Sequence, residues 1–218
     1  MIDLLRLYEN CVYSSIAHAI LVLKEPIFAA EQSWDGMNYC FNNFEGTRGT
    51  ISFDLTAGIM AGAARDDTSA RCGRYPEFKA IELFKNAPDN IKRFAKKEAL
   101  EYLYDEVNGS TQPTATIAFW STGGEIIVDE DTEEFRNNGG EYLLTISVTH
   151  DKLREHWREQ YELSEEELSA VDMIFERFTA HRNITLDDVP IIKQGRDLSE
   201  EGYEECLTSL EEIGIIIE

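Results

Sequence analysis

Past residue 150 the apolar residues of this chain recur only at helical spacing, whereas before it helical and strand-like runs are mixed. Residues 151–161, 165–181 and 199–213 each carry apolar side chains three or four apart. Ser164 is followed by three glutamates and Ser199 by Glu200 and Glu201, placing a hydroxyl and acids where a helix start needs them. Thr185-Leu186-Asp187-Asp188 repeats that chemistry before a short further element. Such a change of pattern predicts an α+β fold: a mainly antiparallel sheet with a long N-terminal helix in a domain over residues 1–150, and an acidic helical module over 151–218 packed on it.

Within the first 150 residues, Leu4, Leu7, Cys11, Val12, Ile16, Ala19 and Leu23 are spaced for a long buried helix that ends near Glu25-Pro26, because proline restricts the residue before it. Residues 27–31 read as extended. Residues 39–44 and 50–53, rich in aromatic and β-branched side chains, flank a glycine-containing loop and predict a hairpin. Residues 58–64 are small enough for another backbone to approach closely. Pro76 can open one helix and Pro88-Asp89 another, whose apolar spacing continues to Tyr104. Residues 114–120, 125–128 and 142–148 are three further strand candidates.

Charge narrows the possible partners. The chain has 42 acidic and 20 basic residues, a net of -22, and residues 125–218 alone hold 26 acids against 8 bases, a net of -18. That field opposes unaided binding to nucleic acid or an anionic membrane. The helical order at the C-terminus loosely suggests a winged helix, but residues 199–212 contain six glutamates and no lysine or arginine, so DNA reading is excluded in favour of protein contact. The acidity serves solubility or presents a face to a basic protein partner. Lys92, Arg93, Lys96 and Lys97 form the one basic stripe, read as a solvated helix face.

Cys11, Cys40, Cys72 and Cys206 are far apart and contain no CxxC pair, and His150 and His156 would not share a helical face. No metal, no cofactor and no disulfide is expected. Residues 11–23 lack the positive flank of a signal peptide, and no run is long and apolar enough to span a bilayer, so a cytoplasmic protein without membrane attachment is expected. Phosphate-loop, dinucleotide, nucleophile-elbow and zincin motifs are all missing. In the acidic run 129–134 the sixth position is Glu134 where a calcium loop needs glycine, which leaves a turn or a helix start. No catalytic residue is assigned.

The segment best suited to recognition runs from Trp34 and Asp35 through Tyr39 to Asn42, Asn43 and Arg48: large rings with polar handles, amides that donate and accept, and a charged fork. The alternative places Trp34 in the core, Asp35-Gly36 in a turn and the asparagines on a solvent face. With Glu204, Glu205 and Glu211 as steering charges, these residues form the candidate partner-binding set. Two other readings stay open: a small-substrate enzyme gathering Asp35, Arg65, Arg71 and His18 into one cleft, although His18 sits in an apolar pattern, and a regulatory adaptor using the acidic helices alone.

Trp34-Asp35-Gly36, Tyr39 and Gly49-Thr50-Ile51-Ser52-Phe53 beside strong negative charge resemble the acidic cytoplasmic immunity proteins of bacterial polymorphic-toxin and contact-dependent inhibition systems. The resemblance implies a protein that binds and blocks one toxin, often a basic nuclease, without chemistry of its own.

Overall fold

The computed structural model describes residues 3–75 and 77–217. In chain order its elements are α1 (Leu4–Val22), β1 (Gln32–Asp35), β2 (Asn38–Asn42), β3 (Thr47–Asp54), β4 (Ile59–Asp66), α2 (Asp89–Lys97), β5 (Tyr104–Val107), β6 (Ser110–Pro113), β7 (Ile117–Ser121) and β8 (Ile127–Val128). There follow α3 (Thr132–Phe135), α4 (Glu141–Ile146), α5 (His150–Gln160), α6 (Glu165–Thr179), α7 (Pro190–Leu198) and α8 (Glu200–Glu212). The fold is α+β, with a mainly antiparallel sheet, a long N-terminal helix and a helical C-terminal part. The chain divides into two compact units: residues 1–8 with 37–147, and residues 9–36 with 148–218. The passage at 147–148 lies close to the boundary read from the sequence, and the helical unit also takes in residues 9–36.

In the first unit the strands run β2-β3-β4-β7-β8, each pair antiparallel. Register sets Tyr39, Ile51, Gly62 and Phe119 in one row across the sheet, hence on one face. A Cβ on Gly62 would lie 2.2 Å from the Phe119 ring and one on Gly49 2.3 Å from Phe41, so small residues here make room for flat rings. Phe135 of α3 meets Phe119 edge-on at 6.1 Å, and Tyr142 of α4 stacks on Phe41 at 4.1 Å, closing that face. The opposite row, Asn38, Ser52, Ala61 and Trp120, faces a core in which Ile91 and Ala95 of α2 and Phe84 pack with Ala61, Ala63 and Trp120. A separate hairpin joins β5 to β6 through Asn108-Gly109, both at positive φ.

The second unit is built around α1 from Glu9 onward. That stretch is buried on all sides, so its polar residues must be satisfied internally. Asn10 donates to the Val148 carbonyl at 3.0 Å, and the Tyr13 hydroxyl donates to Asp172 at 2.7 Å. Ser14 and Ser15 accept the indole N–H groups of Trp157 and Trp34, at 2.9 and 2.8 Å. His18 donates from Nε2 to the Phe28 carbonyl at 2.9 Å, and burial pushes its pKa down to about 4.

Four segments differ from their sequence reading. Residues 142–148, β-rich in composition, form α4, because Leu143 and Ile146 are the buried pair and they lie three apart. Residues 27–31 belong to a 3-10 helix, Pro26–Glu31, that starts on its proline and buries no side chain. The small-residue segment 58–64 is the central strand β4. The helix read as continuing to Tyr104 stops at Lys97; a short 3-10 turn, Glu101–Leu103, follows and Tyr104 opens β5. Pro76, read as a helix start, lies outside the described residues.

Candidate functional site

The feature of the second unit that most resembles a recognition surface is α8. Ser199 caps its start, accepting from the Gly202 N–H at 3.0 Å. Gly202, Cys206 and Leu210, four apart, form its buried stripe, so Glu200, Glu201, Glu204, Glu205, Glu211 and Glu212 are left exposed. Gly202 is fixed by contact: a Cβ there would lie 2.6 Å from the Leu23 carbonyl at the end of α1. Among the described residues none of the six glutamates makes an ion pair. Glu212 accepts from the Trp34 backbone N–H at 2.8 Å, and its pKa is raised by burial, with Glu205 and Asp35 adding to the rise. The helix is bracketed by two exposed aliphatic residues, Leu198 just before its cap and Ile216 just after its end, 76% and 68% exposed.

The structure thus brings Asp35 and Glu205 together around Glu212, a residue the sequence did not single out. Glu204 and Glu211 are exposed on the same helix. Trp34 is buried, with its indole on Ser15, so of the two readings weighed for it the core one is what is seen. Tyr39 lies in the first unit, fully covered, and its hydroxyl pairs with that of Tyr142. Neither ring offers its face to a partner.

Asn42 and Asn43 are turn builders at the β2–β3 connection. Asn42 Oδ1 accepts from the Phe44 N–H, and Asn43 Oδ1 from Glu45 and Thr47, each at 2.9 Å. Arg48 belongs to an ion square: it reaches Asp105 at 3.0 Å and Asp67 at 3.7 Å, while Arg65 reaches the same two at 3.1 and 2.6 Å. Arg71 is held by Glu130 at 2.8 Å, by Glu134, and by the Thr116 carbonyl at 2.6 Å. Of the four residues named for an enzymatic cleft, Arg65 and Arg71 lie in the first unit and His18 and Asp35 in the second.

A pocket of about 510 Å³ in the second unit is bordered by Glu25, Glu31, Glu162 and Tyr161. Its one cation, Lys24, is tied to Glu167 at 2.7 Å. Burial pushes up the pKa of Glu31 and, with help from Glu31, that of Tyr161. Among the described residues no group of three or more metal-ligating side chains occurs and no helix is long and apolar enough to cross a membrane. The four cysteines are free thiols, and burial raises the pKa of Cys11 and Cys206. Comparison with protein-family models, with curated proteins and with solved structures finds no match.

Proposed function

We propose that this chain is a cytoplasmic binding protein that neutralises or regulates a basic protein partner, with α8 as its contact surface. The observation that carries the reading is the bare acidity of that helix: six exposed glutamates without an ion pair among the described residues, bracketed by exposed Leu198 and Ile216. Crowded carboxylates repel one another, and a cationic surface relieves that repulsion as it docks. The two aliphatic side chains supply the apolar contact that a charged surface lacks, which is where slow dissociation originates. The resemblance to toxin-immunity proteins supports a basic toxin domain as the partner. Trp34 contributes from the core, its backbone N–H holding Glu212 of α8, whereas Tyr39 belongs to the core of the first unit and takes no part in this surface.

Binding kinetics against the partner captured from the source cells, with an unrelated basic protein of equal charge as control, test the reading. Reversing Glu204, Glu205 and Glu211 to lysine is expected to slow association about tenfold or more and to flatten its salt dependence. Leu198→Ser, which leaves the charge unchanged, is expected to leave association alone and speed dissociation about tenfold. Association indifferent to both the triple reversal and salt would refute the assignment.

A further inference from the structure

The chain holds two Asn-Gly pairs, Asn108-Gly109 and Asn138-Gly139, and the first unit treats them in opposite ways. The amide carbon of an asparagine is open to attack by the backbone nitrogen of the next residue, and glycine, with no side chain, obstructs that approach least. Asn138 is held against it. Its Nδ2 donates to the Glu134 carbonyl at 2.7 Å, its Oδ1 accepts from the Ser69 hydroxyl, and its own carbonyl accepts from the Thr116 hydroxyl at 2.6 Å. Gly139 is buried, and a Cβ there would lie 3.1 Å from Asp66.

Asn108 and Gly109 are both exposed, at the tip of the β5–β6 hairpin. Among the described residues the Asn108 side chain makes no hydrogen bond and the Gly109 N–H has no acceptor. Both residues stand at positive φ, 52° and 77°. Ring closure needs Asn108 Cβ and the Gly109 nitrogen eclipsed about the Cα–C bond, so the turn must first open. The hairpin permits that, because β5 and β6 make a sheet of two strands, a pairing of marginal stability that opens locally.

We propose that Asn108 is a self-modification site, where this chain converts its own asparagine to aspartate and isoaspartate. The Gly109 nitrogen gives up its proton and bonds to Asn108 Cγ, the Cγ–Nδ2 bond breaks, and Nδ2 takes up a proton and leaves as ammonia, closing a succinimide ring. Solvent water then opens the ring. Attack at Cγ leaves aspartate; attack at the main-chain carbonyl leaves isoaspartate, with the chain running through Cγ, and nothing is oxidised or reduced. Aspartate tolerates the positive φ of the turn. Isoaspartate adds a carbon to the backbone of a two-residue turn, so Val107 and Ser110 no longer pair in register. Asp105 on the same strand is the acid that Arg48 and Arg65 share, at 3.0 and 3.1 Å, so the loss of register reaches those ion pairs. The site is separate from α8 and does not depend on the function proposed for it.

Ageing the whole protein in warm, mildly alkaline buffer and mapping its tryptic peptides by mass tests the assignment. Cleavage after Lys97, Arg136 and Lys152 puts Asn108, as the single asparagine, in peptide 98–136 and Asn138 in peptide 137–152. Deamidation, with isoaspartate read by methyltransferase labelling, is expected about tenfold or more faster in 98–136, because two side-chain hydrogen bonds restrain only Asn138. In urea the two rates should converge, and Asn108→Gln should abolish the change in 98–136. Hydrogen exchange of the purified isoaspartate form should show β5 and β6 losing protection while β3 and β4 keep theirs. Equal rates in the folded protein, or a faster change at Asn138, overturn the proposal. So does a mass gain in 98–136 that survives Asn108→Gln, which assigns it to another amide, or an Asn108 still intact after about ten half-lives of the free peptide 105–112, which would show that the turn stays shut. Unchanged protection of β5 and β6 overturns the loss of register.

Discussion

The unit built on the sheet holds 19 acidic and 12 basic residues and the helical unit 23 and 8, nets of -7 and -15, yet the larger contrast is in where the cations are used. In the first unit Arg48 and Arg65 close a square with Asp67 and Asp105, and Arg71 joins the 70s loop to the acidic run at 130–134. In the second, Arg154 ties α5 to Asp172 and Glu165 of α6, Arg177 ties α6 to Asp188, and Lys24 holds Glu167. Arg196 of α7 lies over the Tyr203 ring of α8 at 5.7 Å, yet among the described residues no cation pairs with an α8 glutamate. Net charge alone therefore does not set α8 apart; what does is that none of its glutamates makes an ion pair among the described residues.

The sharpest test of how the second unit holds that element is Trp34→Ala. The side chain is 8% exposed and its indole is anchored on Ser15, so a loss of about 3–5 kcal/mol is expected in denaturant unfolding. Hydrogen exchange should show α8 losing protection before β3 and β4. A loss below about 0.5 kcal/mol would mean that the ring is a surface group.

The matching test in the first unit is Arg71→Ala. Arg71 and Glu130 are 14% and 13% exposed, so removing the guanidinium strands a covered carboxylate and should cost about 3 kcal/mol. Replacing Lys193, whose pair with Asp187 is well exposed, should leave stability unchanged within the error of the same titration. Similar losses at both positions would break the distinction between ion pairs that build structure and ion pairs that only decorate it.

Acid sharpens the comparison further, because buried histidine and buried carboxyls of the second unit act with opposite sign. His18 is buried neutral with its pKa lowered to about 4, so the unfolded chain takes up a proton first as pH falls. Its contribution is whole above about pH 6.5 and is lost on the way down to 4, about 2.5 kcal/mol by pH 4.5. Glu212 and Glu31, raised by burial, gain relative stability over the acid range instead. Urea titrations of wild type and His18→Gln from pH 7 to 4.5 isolate the histidine. Parallel curves would show that His18 reaches solvent.

Much of this was written locally in the chain. The helix starts at Ser164 and Ser199, the buried α1 and the β2–β3 hairpin follow from caps and spacing that need no distant partner. Asn108-Gly109, a strong hairpin signal, is plain in the sequence and was masked by the helical spacing that runs up to Tyr104. Residues 142–148 could not be read, because their composition favours a strand and only the sheet beneath them selects Leu143 and Ile146 as the buried pair. The candidate site was legible in its charge and not in its geometry. Glu204, Glu205 and Glu211 stand out by sign, whereas Glu212 meets Asp35 across nearly the whole length of the sequence, and Leu198 and Ile216 look like ordinary core residues until their exposure is seen.

The smallest expected effect decides whether α8 is acidic at the expense of stability. Glu205 adds to the unfavourable charge around Glu212, and no cation among the described residues pairs with it, so Glu205→Gln should raise unfolding stability by about 0.2–0.5 kcal/mol at low salt. Because the term is exposed repulsion, the gain should shrink as added salt shortens the Debye length from about 10 Å at 0.1 M toward about 3 Å at 1 M. In the first unit Glu134→Gln should do the reverse and lose stability, since Glu134 is a partner of Arg71. If Glu205→Gln were as destabilising as Glu134→Gln, the acids of α8 would be structural and the surface assigned to a basic partner would lose its main support. A small gain at Glu205 beside a loss at Glu134 would mean that the fold tolerates this charge without using it, which is what a surface kept for another molecule requires.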